Sequence, residues 1–108
     1  MNISINEFRL QSNKTTTFQI IDVRSELEFH TYNIGGINIP LGKLPSQLED
    51  LPFGIDQEII VICQHGIRSE TARVLLKNNG FKNVKNLKGG LTALRKVLLM
   101  NISRITSQ

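Results

Sequence analysis

The sequence predicts an α/β domain built on a mainly parallel sheet with helices on both faces. Short apolar runs of strand length alternate with segments of helical character along the whole chain. The most apolar run, from Glu58 to Cys63, has no polar alternation, which is typical of a central parallel strand covered on both faces. At 108 residues the chain is expected to form one domain, residues 1–108, with a single core.

Capping signals and turn residues divide the chain into elements. Ser-x-x-Glu capping boxes beginning at Ser4 and Ser25 start two helices. Ser69 is predicted as the N-cap of a longer helix, with Gly80 just after its end. The predicted strands are at 18–23, 37–40, 58–63 and 83–87. The predicted helices run from Ser4 to near Ser12, from Ser25, at 44–51, at 69–79, and after Gly89-Gly90, where the last helix has apolar positions Leu91, Leu94, Val97 and Leu98. A polar loop at 13–17, a break at Gly35-Gly36 and a turn at 52–54 separate them.

Charge is distributed unevenly along the chain, whose formal net charge is +4. Residues 1–70 contain all nine acidic side chains and five basic ones, whereas residues 71–108 contain eight basic side chains and no acidic one. Two interpretations stay open: an ordinary solvated lysine surface, or a basic face that attracts anionic substrates or an acidic partner protein. Nucleic-acid binding is not expected, because no aromatic residues are interleaved with the lysines.

Several classes of protein are excluded by what the chain lacks. The first residues contain no long apolar run, and no stretch approaches the ~18 apolar residues that a membrane span needs. We therefore expect a cytoplasmic protein that does not contact a membrane. Cys63 is the only cysteine, which excludes an internal disulfide and a thiolate metal cage, and no metal or cofactor is expected.

Cys63 is the candidate nucleophile. It lies between a strand and a helix, where it faces unpaired backbone N–H groups and the positive end of the helix dipole. Both features favour the thiolate over the thiol. Successive N–H groups in such a short turn form a concave site for a small anion, while Gly66 allows the bend and Arg68 adds a positive charge at the rim. The candidate anion-binding loop is Gln64, His65, Gly66, Ile67, Arg68 and Ser69.

Other polar residues follow neighbouring strands and are expected at the same edge of the sheet, where ligands bind in parallel α/β folds. Arg24 is interpreted as a structural partner of a nearby carboxylate, and Asp22 as structural in the same way. His65 is either an acid or base, or a solvated loop side chain. Cys63 itself also has a second interpretation, as an inert buried thiol.

Together these residues resemble the rhodanese-like sulfurtransferase family. The matching stretches are Asp22-Val23-Arg24 with Glu28, Ile34 to Pro40, Cys63 to Ser69, and Gly80 to Gly90, in the family's order. The resemblance implies a three-layer fold with a five-stranded sheet. It also implies a Cys63 persulfide that takes sulfane sulfur from thiosulfate or a persulfide donor and gives it to a thiophilic acceptor. The expected partners are a small anionic sulfur donor and an acceptor protein thiol or sulfur-carrier protein.

Two positions depart from the family pattern, and both are interpreted as structural. Asn33 stands where many members have a histidine, and Leu94 where a tryptophan is common. Two other functions stay open. Rhodanese-like domains also serve as non-catalytic interaction or regulatory modules, usually without the cysteine. Phosphatases and arsenate reductases with a similar loop typically place five residues between cysteine and arginine, whereas this chain has four.

Overall fold

The computed structural model describes residues 1–12 and 18–106, so the polar loop predicted at 13–17 lies outside the described residues. The strands are β1 (Asn2–Ile3), β2 (Gln19–Asp22), β3 (Ile37–Asn38), β4 (Ile59–Ile62) and β5 (Val84–Leu87). The helices are α1 (Ile5–Ser12), α2 (Glu26–Thr31), α3 (Leu44–Gln47), α4 (Ile67–Asn78) and α5 (Gly90–Thr106), with 3-10 helices at Leu41–Lys43 and Leu48–Asp50.

The five strands form one parallel sheet in the order β1-β5-β4-β2-β3. All four residues of β4 are fully buried, which confirms the prediction of a central strand covered on both faces. Only β1 was not predicted as a strand. It has two residues, of which Ile3 pairs with Leu87, and two residues are too few to show a period.

Helices cover both faces of the sheet, and alternate residues of β4 contribute to two separate cores. Ile59 and Val61 belong to the core on one face, and Ile60 and Ile62 to the core on the other. The first core is completed by buried side chains of α3 and α4: Leu44, Ala72 and Leu76. The second is completed by buried side chains of α1 and α5: Phe8, Leu91 and Leu94. The predicted α/β class is confirmed as three layers.

The two ends of α4 compare differently with the prediction. Its end is as predicted: Gly80 adopts a φ of +96°, and Phe81 N donates to Leu76 O at 3.2 Å. Its start is three residues earlier than predicted, since Gly66 rather than Ser69 is the N-cap and Ser69 already lies inside the first turn. The prediction of Ser69 as N-cap was therefore wrong. Gly66 has a φ of +91°, so the chain turns there and enters the helix at once.

Helix α5 is buried at its start and exposed from Leu98 to Met100. Leu91 and Leu94, two of its four predicted apolar positions, are in the core, whereas Leu98 is 38% exposed. Four-residue strands span about 13 Å, while this 17-residue helix spans about 25 Å, so the helix is longer than the strands. Within residues 1–12 and 18–106, no helix is long and apolar enough to cross a membrane.

The two departures from the family pattern have structural roles. Leu94 is 4% exposed and packs in the core formed by α1 and α5. Asn33 braces the turn after α2, because its side-chain amide donates to Phe29 O at 2.9 Å and its oxygen accepts from Gly35 N at 2.9 Å.

Candidate active site

Cys63 follows β4 at the carboxyl edge of the sheet and is fully buried. Its Sγ accepts hydrogen bonds from Gly66 N at 3.0 Å and from Ser69 N at 3.3 Å. A third contact, at 3.2 Å, joins Sγ to Ser69 Oγ. Two backbone donors and one hydroxyl therefore converge on the sulfur, with the first turn of α4 on the same side.

The loop after Cys63 is oriented by the start of α5. Leu91 N and Thr92 N donate to Cys63 O and Gln64 O, each at 3.0 Å. Gly90 makes this approach possible, since a Cβ there would lie 2.5–2.6 Å from the same two carbonyl oxygens. In a trans peptide the N–H points opposite to the carbonyl, so the N–H groups of Gln64 and His65 point away from α5.

These N–H groups are part of a set that has no protein partner. In the part of the chain that the structure describes, the backbone N–H groups of Gln64, His65, Ile67 and Arg68 have no acceptor. Such an array of unpaired donors beside a thiol is suited to holding a small anion.

A buried amide on β5 supports the loop from below. Ser69 Oγ donates to Asn86 Oδ1, and Asn86 Nδ2 donates to Gly66 O at 3.0 Å. A hydroxyl has one proton, so Ser69 cannot donate to Cys63 Sγ and to Asn86 at once. With the Ser69 proton on Asn86 Oδ1, its hydroxyl oxygen is free to accept from Cys63 Sγ–H. Sequence reasoning missed Asn86. Its signal was an amide two residues after Val84, on the buried face of a strand.

Asp22 and Arg24 form a buried ion pair beside the loop. Arg24 Nη2 lies 2.8 Å from Asp22 Oδ2, and Nε lies 3.0 Å from Oδ1. Arg24 also donates to Tyr32 O at 2.6 Å and to Gln64 Oε1 at 3.5 Å. The carboxylate partner predicted for Arg24 is therefore present, and the pair connects β2, the end of α2 and the Cys63 loop.

Arg68 is not the lone cation that the sequence suggests. Its Nη1 and Nη2 bind Glu28 Oε1 and Oε2 at 2.7 and 2.8 Å, with both side chains more than one-third exposed. The hydrogen bonds from Arg68, helped by those from Ser25, hold the pKa of Glu28 down to about 2. The hydrogen bonds to Glu28 in turn raise the pKa of Arg68. The sequence analysis used Glu28 in the capping box and in the family resemblance, and did not predict its pairing with Arg68. Glu28 also forms the capping box, accepting from Ser25 N at 3.1 Å.

His65 lies on the outer side of the loop and is exposed, with Nδ1 3.3 Å from Thr92 Oγ1. It shares an open cavity with Lys88, Gly66 and Glu70. The described residues contain no group of three histidine, cysteine, aspartate or glutamate side chains that could hold a metal ion.

Ion pairs balance part of the charge asymmetry of the sequence. Cations of the acid-free segment bind acids of the first 70 residues in three pairs: Arg73 with Glu70, Lys82 with Asp56, and Lys85 with Glu58. Since Glu58 precedes β4, Lys85 reaches toward the amino edge of the sheet, away from Cys63. Lys88 remains on the Cys63 side.

Comparison with known proteins gives relatives that match most of this chain. A putative sulfur carrier protein of Bacillus subtilis, YrkF, is 34% identical over 90 residues, which cover 82% of this chain and 48% of that protein. Thiosulfate sulfurtransferase GlpE of Shewanella oneidensis is 30% identical over 95 residues, covering 84% and 88%. The chain thus spans about half the length of the former and most of the latter.

Solved structures agree in fold. The human single-domain sulfurtransferase TSTD1 superimposes with a TM-score of 0.71 at 28% identity, covering 82% of this chain and 89% of that one. The sequence model of the rhodanese-like domain family matches residues 4–96 of this chain. This range includes every strand from β2 to β5 and the whole Cys63 loop. By this match, and by the parallel sheet that carries the cysteine at its carboxyl edge, the chain belongs to the rhodanese-like domain family.

Proposed function

We propose that the chain is a sulfurtransferase that carries sulfane sulfur on Cys63 as a persulfide. The observation that supports this most directly is the environment of the sulfur. Sγ accepts from Gly66 N and Ser69 N, and the further N–H groups of the loop have no acceptor among the described residues. This is the donor array that an anionic sulfur attached to Cys63 requires.

The proposed reaction has two displacements at sulfur. The Cys63 thiolate attacks the outer sulfur of thiosulfate, the S–S bond of the donor breaks, and sulfite leaves with the electron pair. The new Cys63–S–S⁻ group lies among the N–H groups of the loop, which stabilise its terminal charge. An acceptor thiolate, or cyanide in the test tube, then attacks the terminal sulfur and releases the Cys63 thiolate.

The proposed partners follow from the same chemistry. A small anionic donor loads the sulfur, and a protein thiol or a sulfur-carrier protein removes it. The chain has no second cysteine, so its own thiols cannot resolve the persulfide as an internal disulfide. The likeness to a protein named as a putative sulfur carrier supports this direction of transfer. We further propose a cytoplasmic location, since a reducing compartment keeps a lone thiol available.

The test is an intact-mass measurement after incubation with thiosulfate. The protein is expected to gain about 32 Da, one sulfur atom, and to lose it again on addition of cyanide. The matched control is Cys63→Ser, which keeps the size of the side chain but is not expected to gain mass. A wild-type protein that gains no sulfur from thiosulfate or from a persulfide donor would instead be a non-catalytic module. Hydrolysis of aryl phosphates at a rate comparable to sulfur transfer would favour the phosphatase alternative.

A further inference from the structure

Two arginines lie beside the Cys63 loop, and each is matched by a carboxylate. Arg24 is paired with Asp22 in the interior, and Arg68 is paired with Glu28 at the surface. The exposed Arg95 lines the same cavity as Glu28 and Gln64, with its guanidinium 4.4 Å from the centre of the Tyr32 ring. We take the sulfur donor to approach over the surface that Glu28, Arg68 and Arg95 form beside the loop, and we call this surface the entrance. Without Glu28 the entrance would present two unmasked cations, Arg68 and Arg95; with it, the entrance presents one.

We propose that Glu28 determines the charge class of the sulfur donor, so that masking of Arg68 disfavours dianionic thiosulfate relative to monoanionic sulfane-sulfur donors. This inference rests on the proposed sulfurtransferase function. A donor with two negative charges gains twice as much from a free guanidinium as a donor with one, because the Coulomb energy is proportional to charge. Neutralising that guanidinium therefore costs the dianion more than the monoanion.

Glu28 is held in this role by contacts on both sides. Its two oxygens bind both Nη atoms of Arg68, a bidentate geometry that leaves neither terminal nitrogen directed only to solvent. One of the same oxygens accepts from Ser25 N at 3.1 Å, and Glu28 N donates to Ser25 Oγ at 3.2 Å. The carboxylate is thus anchored at the first turn of α2.

Exposed aliphatic side chains adjoin this ion pair in the chain, and one of them, Leu27, lines the same cavity as Glu28. Leu27 and Ile67, which directly precede Glu28 and Arg68 in the chain, are 79% and 76% exposed. Two exposed aliphatic side chains next to a neutralised ion pair favour a donor that carries a carbon group over one that is charged at both ends. A thiosulfonate or an organic persulfide has this character, and thiosulfate does not.

Two sulfur donors that react in the same way but differ in charge isolate the effect of donor charge on the loading rate. Thiosulfate carries two negative charges and methanethiosulfonate carries one, and both offer a terminal sulfur. With methanethiosulfonate, the Cys63 thiolate attacks the outer sulfur, the donor S–S bond breaks, and methanesulfinate leaves with the electron pair. The persulfide formed on Cys63 is the same in both reactions, so the ratio of the two loading rate constants reports on recognition of the donor.

The experiment measures this ratio by quenched intact-mass analysis in the wild-type protein and in Glu28→Gln. Glutamine serves at this position of a capping box as glutamate does, so α2 keeps its start. The ratio of thiosulfate to methanethiosulfonate loading is expected to rise about three- to tenfold in Glu28→Gln, the effect of one added charge interaction at the entrance. Glu26→Gln is the control, because it removes a negative charge from the same helix without unmasking Arg68. The partner of Glu26 is Lys43, and both side chains are exposed.

A second variant identifies the cation involved. In Glu28→Gln/Arg68→Gln the ratio is expected to return to the wild-type value, because the charge that Glu28 masks is then absent. An unchanged ratio in Glu28→Gln overturns the inference, and so does an equal rise in Glu26→Gln, which would indicate a general effect of net charge. Failure of both donors to load the wild-type protein overturns the sulfurtransferase proposal itself, and this inference with it.

Discussion

The two ion pairs at the carboxyl edge of the sheet have the same chemistry and differ in burial. Asp22 and Arg24 are almost completely inaccessible, with side-chain exposures of 0% and 3%. Glu28 and Arg68 are 35% and 38% exposed. Both pairs join an arginine to a carboxylate through two or more hydrogen bonds at 2.7–3.2 Å.

The difference in burial separates a structural pair from an adjustable one. An ion whose partner is removed in the interior remains a desolvated charge, so the buried pair must be complete for the fold to be stable. An exposed ion that loses its partner is solvated by water and remains available to a charged ligand. Asp22 and Arg24 therefore set the position of the loop, whereas Glu28 and Arg68 set the charge that a substrate meets.

The largest effect is expected from breaking the buried pair. Asp22→Ala leaves the Arg24 guanidinium buried without its counter-ion, and the free energy of unfolding is expected to fall by about 3–5 kcal/mol. Urea unfolding followed by circular dichroism measures this. The control is Asp56→Ala, whose partner Lys82 lies 3.8 Å away at an exposed position. A loss for Asp22→Ala no larger than for the control would mean that burial does not separate the pairs.

The sequence predicts the first of these pairs better than the second. Arg24 and Asp22 are two residues apart at the end of one strand, so their contact is local. Arg68 and Glu28 are 40 residues apart, and their contact depends on how α2 leaves β2 relative to α4. No periodicity carries that information. The Cys63 loop could be predicted because a strand, a thiol and a helix start are contiguous in the chain.

The fold shows the same limit. Strands β2, β4 and β5 were predicted within one residue at each end, because apolar runs and turn residues mark them locally. Strand β1 and the burial of Ser69 were not predicted, since both depend on contacts with β5. Ser69 has the residue type of an N-cap, but its hydroxyl is used by Asn86, 17 residues away.

A neutral buried pair separates the effect of burial from that of charge. Asn86→Leu, which keeps the number and branching of the side-chain heavy atoms, leaves Ser69 Oγ and Gly66 O without their amide partner, and the free energy of unfolding is expected to fall by about 1–3 kcal/mol. Ser69→Ala is the companion variant, and the double variant should lose less than the sum, because both changes remove one shared hydrogen bond. A cost for Asn86→Leu equal to that of Asp22→Ala would mean that charge adds nothing to burial here.

The exposed pair is expected to show a smaller, pH-dependent contribution. The pKa of Glu28 is lowered from its ordinary 4.5 to about 2, so its stabilisation is complete above the unfolded-state value and is lost as the pH falls through the folded-state value. Because both side chains are partly solvated, we expect no more than about 1 kcal/mol. Unfolding of wild type and Glu28→Gln should differ by a constant amount from neutral pH to about pH 5 and converge below it. A difference that disappears between neutral pH and pH 5 would contradict this assignment.

The smallest effect, on the rate of sulfur loading, is expected from two lysines that belong to neither arginine–carboxylate pair. Lys85 binds Glu58 at 2.8 Å and reaches toward the amino edge of the sheet, whereas Lys88 lines the cavity that contains His65 and Gly66. Lys88→Gln is therefore expected to lower the rate constant for loading Cys63 with thiosulfate by about twofold at low salt, and Lys85→Gln to leave it unchanged.

Salt provides the internal check on this last prediction. Attraction between exposed charges is screened over about 8–10 Å at 0.1–0.15 M ionic strength, so the difference between wild type and Lys88→Gln should shrink as inert salt is added. The two variants carry the same substitution, lysine to glutamine, at positions three residues apart. Only Lys88 lies beside the loop. Equal rates for Lys85→Gln and Lys88→Gln at low salt would show that the lysines after residue 70 act only as a solvated surface.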